Sequence, residues 1–464
     1  MTTVQSRIGS TQLRAGFARR MSVAYGREVP AYTTLVEVAA SVNADVLARD
    51  GSRAERLGTL ERVSAERHGA IRVGTPAELW QASRIFAAMG MHPVGFYDLR
   101  DAARAAVPVI STAFRPVAAA ELAANPFRMF TSLLVTDDRR FFSAELQSRL
   151  DAFLARRTLF PPELLALAER AVADDGLHPD SAERFLQLAT AAFALSEEPV
   201  DAAWYAELEA VSAVAADIGG VGSTHINHLT PRVLDIDELY RRMTARGITM
   251  IDAIQGPPRW PGPDVLLRQT SFRALAEARR FRTASGAIEA GSLRVRFGEV
   301  EARGIALTPA GRDRYDALLA AVDRAAAAEP TRRREDVARE VWHRGLPETE
   351  LGLLADGLAF FTFARGAVPG WSGDVGPGAL ATAVGRGQLV ATPIVYEDFL
   401  PRSAAGIFAS NLVSEGARRD AEAGARRDLG WLSDILGVAV ADPLALYAAQ
   451  QAASLADLPT AAAS

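Results

Sequence analysis

The run 224–237, Thr-His-Ile-Asn-His-Leu-Thr-Pro-Arg-Val-Leu-Asp-Ile-Asp, constrains this chain more than any other segment. It sets two of the six histidines, His225 and His228, three residues apart. Pro231 would break a helix interior, and the β-branched neighbours favour a pleated strand. Side chains on a strand alternate between its two faces. Ile226, His228, Thr230 and Arg232 therefore share one face, and His225, Asn227 and Leu229 the other. The two histidines cannot both reach one metal from a strand, although on a helix that spacing would place them together.

Two further runs carry ligand-type side chains. In Glu66-Arg-His-Gly-Ala-Ile-Arg-Val, alternation puts His68, Ala70 and Arg72 on one face. In 293–304, Leu293, Val295, Phe297, Glu299 and Glu301 share a parity, so either glutamate could face a site. Two neutral imidazoles and one carboxylate on one side of a divalent ion suit non-haem Fe(II), leaving three positions for a chelating substrate and O₂. Zinc with His₂Glu is also chemically sound. Plainer uses compete with each reading. A buried histidine such as His68 can serve as a hydrogen-bonded structural residue. Glu301 can pair with Arg303, and Arg72 with a nearby carboxylate. Asp235 and Asp237 read as turn and helix-cap residues. His92, His178 and His343 sit in loop or helix contexts and read as structural, and the glycines of 219–222 as a flexible entry to the strand.

Composition removes whole chemistries. There is no cysteine, which excludes disulfides, thiolate nucleophiles, iron–sulfur clusters and Cys-ligated zinc. All 51 basic residues are arginine, so lysine Schiff bases, pyridoxal-phosphate catalysis and Walker-A phosphate loops are excluded as well. A net charge of −5 gives no reason to expect nucleic acid. No apolar run is long enough to span a membrane. The Arg-rich start, whose first acidic residue is Glu28, reads as an ordinary first helix, and a cytoplasmic protein is expected.

Helical spacing marks 35–47, 76–89, 163–173, 181–195, 202–215, 312–328, 332–343, 348–365 and 414–436. Strand-like runs are 68–73, 93–97, 107–114, 129–135, 226–233, 293–306 and 388–396. With 464 residues, 49% hydrophobic, the chain can bury a large core. No repeat or long linker divides it. The expectation is an α+β fold: one elaborated catalytic domain over 1–464, its metal core in about 60–310 and 385–412, with helical additions at 11–60, 145–216, 311–365 and 414–455.

Taken together, these segments resemble the 2-oxoadipate dioxygenase/decarboxylase family, also called hydroxyglutarate synthases, along almost the whole chain. The matching stretches include Glu66-Arg-His-Gly-Ala-Ile-Arg-Val-Gly-Thr, Met89-Gly-Met-His-Pro-Val-Gly-Phe-Tyr-Asp, the run from His225 to Asp237, Leu267-Arg-Gln-Thr-Ser-Phe, Arg296-Phe-Gly-Glu and Val395-Tyr-Glu-Asp-Phe-Leu-Pro. The resemblance implies a vicinal-oxygen-chelate-like central, partly closed β-sheet that encloses a metal site and is wrapped by helices. It implies Fe(2+) held by His68, His228 and Glu299, thus choosing Glu299 over Glu301. It places the substrate arginine at Arg72, roughly 13 Å along the strand from His68, where a folded-back guanidinium can fork the far carboxylate of a six-carbon diacid. Ser403, Gln269 and Tyr396 become candidate substrate contacts. Arg402, where relatives carry valine, adds a charge beside the pocket. The implied reaction takes 2-oxoadipate and O₂ to 2-hydroxyglutarate and CO₂, a step of lysine breakdown. An oxygen-independent metal isomerase or lyase on the same scaffold, or a non-catalytic small-molecule binding protein, are the alternatives.

Overall fold

The computed structural model describes residues 7–101, 106–294, 296–400, 424 and 426–458. Its twelve strands, in chain order, are β1 (Arg67–Val73), β2 (His92–Asp98), β3 (Val109–Arg115), β4 (Arg128–Leu134), β5 (Val200–Asp201), β6 (His228–Pro231), β7 (Leu267–Phe272), β8 (Glu277–Arg282), β9 (Ile288–Leu293), β10 (Gly298–Arg303), β11 (Phe361–Arg365) and β12 (Leu389–Pro393). The main sheet has the order β2-β3-β4-β1-β6. Within it β1 runs parallel to β4 and antiparallel to β6. β7 and β10 form an antiparallel ribbon. One bridge, Arg232 to Glu301, joins that ribbon to the end of β6, and the Val233 amide donates to the Glu301 carbonyl at 2.8 Å. The ribbon thus continues the sheet beyond its edge, so that β10 meets the face carrying His68. This is the α+β arrangement the sequence implies.

The two faces of β1 have different neighbours. Ile71 and Val73 point into a large apolar cluster with Phe17, Leu35, Phe86, Leu164 and Phe185, contributed by helices Ser10–Glu28, Pro30–Asp50, Pro76–Ala88, Pro162–Ala173 and Pro179–Ala192. Pro76–Ala88 begins at its expected residue and the helices from Pro162 and Pro179 within two residues of theirs, while Pro30–Asp50 starts five residues before the expected 35. Thr75 caps Pro76–Ala88 by accepting from the Glu78 amide at 3.1 Å, and Glu78 returns to the Thr75 amide, with Pro76 at the first turn. With the back face covered by apolar helices, the His68 face is left for polar work. That face combines buried polar side chains, His68, Arg72, Arg128 and Ser132, with an apolar cluster that includes Ala70, Phe130 and Phe399.

Several boundaries differ from expectation. The expected helix over 348–365 is a short helix, Glu350–Ala355, followed by β11. Gly357 at φ +64 ends the helix in the left-handed conformation that glycine adopts without strain. The expected helix 202–215 is two helices, Ala202–Glu209 and Ala213–Gly219, the second capped by Ser212. The expected strand 293–306 is divided between the end of β9 and β10, and the β8–β9 hairpin and β7 were not anticipated as strands. Of the expected helix 414–436, the described part is Leu429–Leu436; most of the remainder lies outside the described residues.

Candidate metal centre

Register places the triad. On β1 and β6, His68 faces Thr230 and Ala70 faces His228, so the two histidines are diagonal neighbours on one face. The small Ala70 opposite His228 leaves room between their rings, whose centroids are 5.3 Å apart and nearly perpendicular. Glu299 arrives from β10, next to Gly298. A Cβ at 298 would stand 1.8 Å from the Phe272 ring across the ribbon, so only glycine permits this approach of the two strands.

Glu299 Oε2 lies 3.1 Å from His228 Nε2 and 3.6 Å from His68 Nε2. One donor atom from each of the three residues lies within 4.8 Å of the others, and all three residues are buried. Among the described residues neither ring nitrogen of His228 has a hydrogen-bond partner in good geometry, Nε2 merely facing Glu299. A buried imidazole in that condition is costly unless something outside the protein engages it. Two imidazoles and a carboxylate converging on one point, with two ring nitrogens unspent, fit a divalent transition metal.

The electrostatics agree. Burial, then the adjacent His68 and Arg72, hold the His228 imidazole well below its ordinary pKa, so it stays neutral and its lone pair is available. Burial also lowers His68, but Glu301 and Glu299 outweigh it and raise the pKa. Burial pushes the Glu299 carboxyl up despite His68. Glu301, which parity left open beside Glu299, has another place. Its Oε2 sits 2.9 Å from His68 Nδ1, the nitrogen turned away from the triad. Its carboxylate is also gripped by Arg303 at 2.6 and 2.9 Å. The sequence leaves Glu301 either facing the site or pairing with Arg303, and does not show its contact with His68. A carboxylate behind a metal-ligating histidine fixes the ring orientation.

Aromatic side chains close two sides. Phe399 stands edge-on to His68 at 5.0 Å, and Phe297 lies 5.2 Å from His228. Tyr25, from the helix Ser10–Glu28, reaches the carbonyls of Phe297 (2.8 Å) and Asn227 (3.1 Å), bracing both segments that flank the triad. Tyr396 does not reach the triad through any contact seen here; its hydroxyl donates to the Phe399 carbonyl at 2.8 Å. It therefore supports the wall over His68 from within the core. Gln269 is buried opposite Glu301 in the ribbon, on the same face as the two glutamates. Arg72 is buried next to Ser132, whose hydroxyl meets that of Ser111 at 2.8 Å, and its Nη1 pairs with Asp217. Ser403 and Arg402 lie outside the described residues.

Behind the triad is a buried ionic network that the sequence does not announce. Glu66 accepts from Arg128 (2.8 Å) and Arg232 (2.9 Å); Arg128 also reaches Glu301 (3.3 Å) and Glu397. Asp398 is forked by Arg115 at 2.8 and 3.0 Å. Burial alone would raise the Glu66 and Glu397 carboxyls, but the surrounding guanidiniums outweigh it, placing Glu66 well below 4.5 and Glu397 below it. Because these folded carboxyls titrate below their unfolded values, their stabilisation is complete above pH about 4.5 and is lost as pH falls towards the folded values. The thermal midpoint, followed by circular dichroism against pH, is expected to begin falling below about pH 6.5, where the buried His225 and His228 stay neutral while their unfolded forms take up protons, and to drop steeply below 4.5.

This fold and site define a protein with a sheet-borne His-His-Glu centre in a mixed α+β scaffold. A family model described as 2-oxoadipate dioxygenase/decarboxylase matches residues 17–411, and the chain belongs to that family. A protein of that name from Mycobacterium tuberculosis is 57% identical over 441 residues, covering 95% of this chain and 97% of the relative. One from Pseudomonas putida is 40% identical over 457 residues, covering 97% and 96%. The crystal structure of the Pseudomonas putida hydroxyglutarate synthase in complex with 2-oxoadipate is similar with a TM-score of 0.83 and 37% identity, covering 97% of this chain and 98% of that one.

Proposed function

We propose that this chain is a cytoplasmic Fe(II)-dependent dioxygenase/decarboxylase that converts 2-oxoadipate and O₂ to 2-hydroxyglutarate and CO₂. The observation that carries the reading is the convergence of His68, His228 and Glu299 around one buried point, where neither His228 nitrogen has a hydrogen-bond partner among the described residues. The reaction balances without an added reductant: the 2-oxo acid loses its carboxyl carbon as CO₂, one oxygen atom ends in the new carboxylate and the other in the hydroxyl. Bound at these three residues, iron would supply the redox chemistry that lets O₂ react with a 2-oxo acid and leave positions open for both.

The remaining work belongs to the protein. Arg72, on the triad's face of β1, binds the distal carboxylate and so sets the direction in which the substrate chain lies. Phe297 and Phe399 exclude water from the reacting carbons. Gln269 and Ser403 are offered as further polar contacts, and Arg402 as a charge that would strengthen the preference for a diacid. Glu301 holds His68 in orientation. Glu301→Gln is accordingly expected to weaken metal binding about 10- to 100-fold while leaving the three ligands in place, measured by anaerobic metal titration.

The test of the function is O₂ uptake by the Fe(II)-loaded protein with 2-oxoadipate. Uptake matched by equal amounts of CO₂ and 2-hydroxyglutarate, and absent without O₂, is the expected result. Turnover that continues anaerobically would replace this reading with an isomerase or lyase.

A further inference from the structure

His225 is the residue of the opening motif that the metal centre leaves unused. Its parity turns it away from the triad, and the structure shows what it meets there. His225 Nε2 lies 3.4 Å from Asp217 Oδ1 and 3.2 Å from Asn227 Nδ2. Asn227 donates to Asp217 Oδ2 at 2.9 Å, and the same carboxylate takes Arg72 Nη1. All four side chains are buried, with Asp217 4% exposed and Arg72 4%. Asp217 stands on the helix Ala213–Gly219, so a carboxylate from outside the sheet is tied to β1 through Arg72 and to the strand entry through His225 and Asn227. The Thr224 hydroxyl adds a bond of 2.7 Å to the Arg72 carbonyl, locking the same two segments by their backbone.

We propose that Asp217, held by His225 and Asn227, is a positioning residue that aims Arg72 and thereby selects substrates with a second carboxylate. A guanidinium presents five N–H donors in one rigid plane, so a carboxylate fixed at Nη1 sets the plane in which the other donors act. His225 supports this role without competing for it. Burial pushes its imidazole down to about 4 despite Asp217, so it is neutral at working pH and leaves the Asp217 charge to Arg72. Asp217 and His225 also line a cleft of about 570 Å³ together with Arg149, Trp204, Arg279 and Leu293. The bracket therefore stands between that cleft and Arg72. This inference rests on the reading that Arg72 binds the distal carboxylate.

The test is anaerobic calorimetry on the full-length Fe(II)-loaded protein, comparing 2-oxoadipate with 2-oxohexanoate, which has the same chain length but no distal carboxylate. In Asp217→Asn the ratio of the two dissociation constants is expected to shrink about tenfold, because diacid binding weakens, and Asp217→Glu is expected to recover part of it. A residue that merely stabilises the fold would weaken both acids together, so an unchanged ratio in Asp217→Asn overturns the proposal. Arg72→Gln separates the two levels. If it collapses the ratio while Asp217→Asn does not, the role of Asp217 fails alone. If it leaves the ratio intact, the role of Arg72 fails and this inference with it.

Discussion

Replacing His228 by alanine is expected to abolish O₂ uptake and to weaken metal binding well beyond the roughly 100-fold that marks the upper end for groups behind a ligand. The effect is large because the His228 ring is left open for a metal beside Glu299. Among the described residues its two buried ring nitrogens have no hydrogen-bond partners, and burial with His68 and Arg72 beside it keeps the ring neutral. A structural histidine at this depth would have a donor or acceptor of its own. The variant also allows a thermodynamic check that needs no turnover. A metal that binds only the folded state adds about 2.7 kcal/mol of stability at one hundred times its dissociation constant. Adding Fe(II) anaerobically should raise the thermal midpoint of the native protein and leave that of His228→Ala where it was. A variant that keeps both the midpoint shift and the O₂ uptake would remove His228 from the metal centre.

Period two made much of this site legible. It separated His228 from His225 and put His68 with Arg72, and it placed Glu299 and Glu301 on one side; all of these follow from local geometry within a strand. It could not order the two glutamates, because that choice depends on which nitrogen of His68 each one meets, and this is set by how β10 docks on β6. Asp217 was invisible for a similar reason. Helical spacing over 202–215 hides the break that Ser212 caps, and the partner of Asp217, Arg72, is 145 positions away. In the hairpin, β8 alternates half-exposed and exposed residues and β9 is exposed up to the buried Leu293, so the usual strand signal is weak there. β11 was lost inside a helical reading that ran through Asp356 and Gly357, where the glycine after the last turn was the available stop signal. Elements defined by their own sequence were readable, and contacts made by one strand docking on another were not.

The network behind the triad gives the largest expected loss of stability. Arg128 lies beside His68 in the β1–β4 register and is fully buried. Its Nη1 serves Glu66 and Glu301, and its Nη2 serves Glu397. Arg128→Met keeps much of the volume but leaves three buried carboxylates each short of a partner, and breaking a buried ionic contact in this way costs about 3–5 kcal/mol. The remaining guanidiniums of Arg62, Arg232 and Arg303 relieve only part of that cost, because they are already committed to Glu397, Glu66 and Glu301. Arg128→Lys should also destabilise, since one ammonium cannot reproduce a fork that spans Glu66 and Glu397. Removing Glu66 together with Arg128 takes away one of the stranded charges, so in a double-mutant cycle the pair should lose less than the sum of the single losses, with a coupling of about 0.5–3 kcal/mol. Urea unfolding of the native protein and these variants measures all of these quantities. Freed from Arg128, Glu301 should also hold His68 less firmly, so Arg128→Met is expected to bind metal more weakly even where it remains folded. If Arg128→Met unfolds within about 1 kcal/mol of the native protein, the ionic network is not what joins these strands, and the apolar packing on the opposite face of β1 must carry the load.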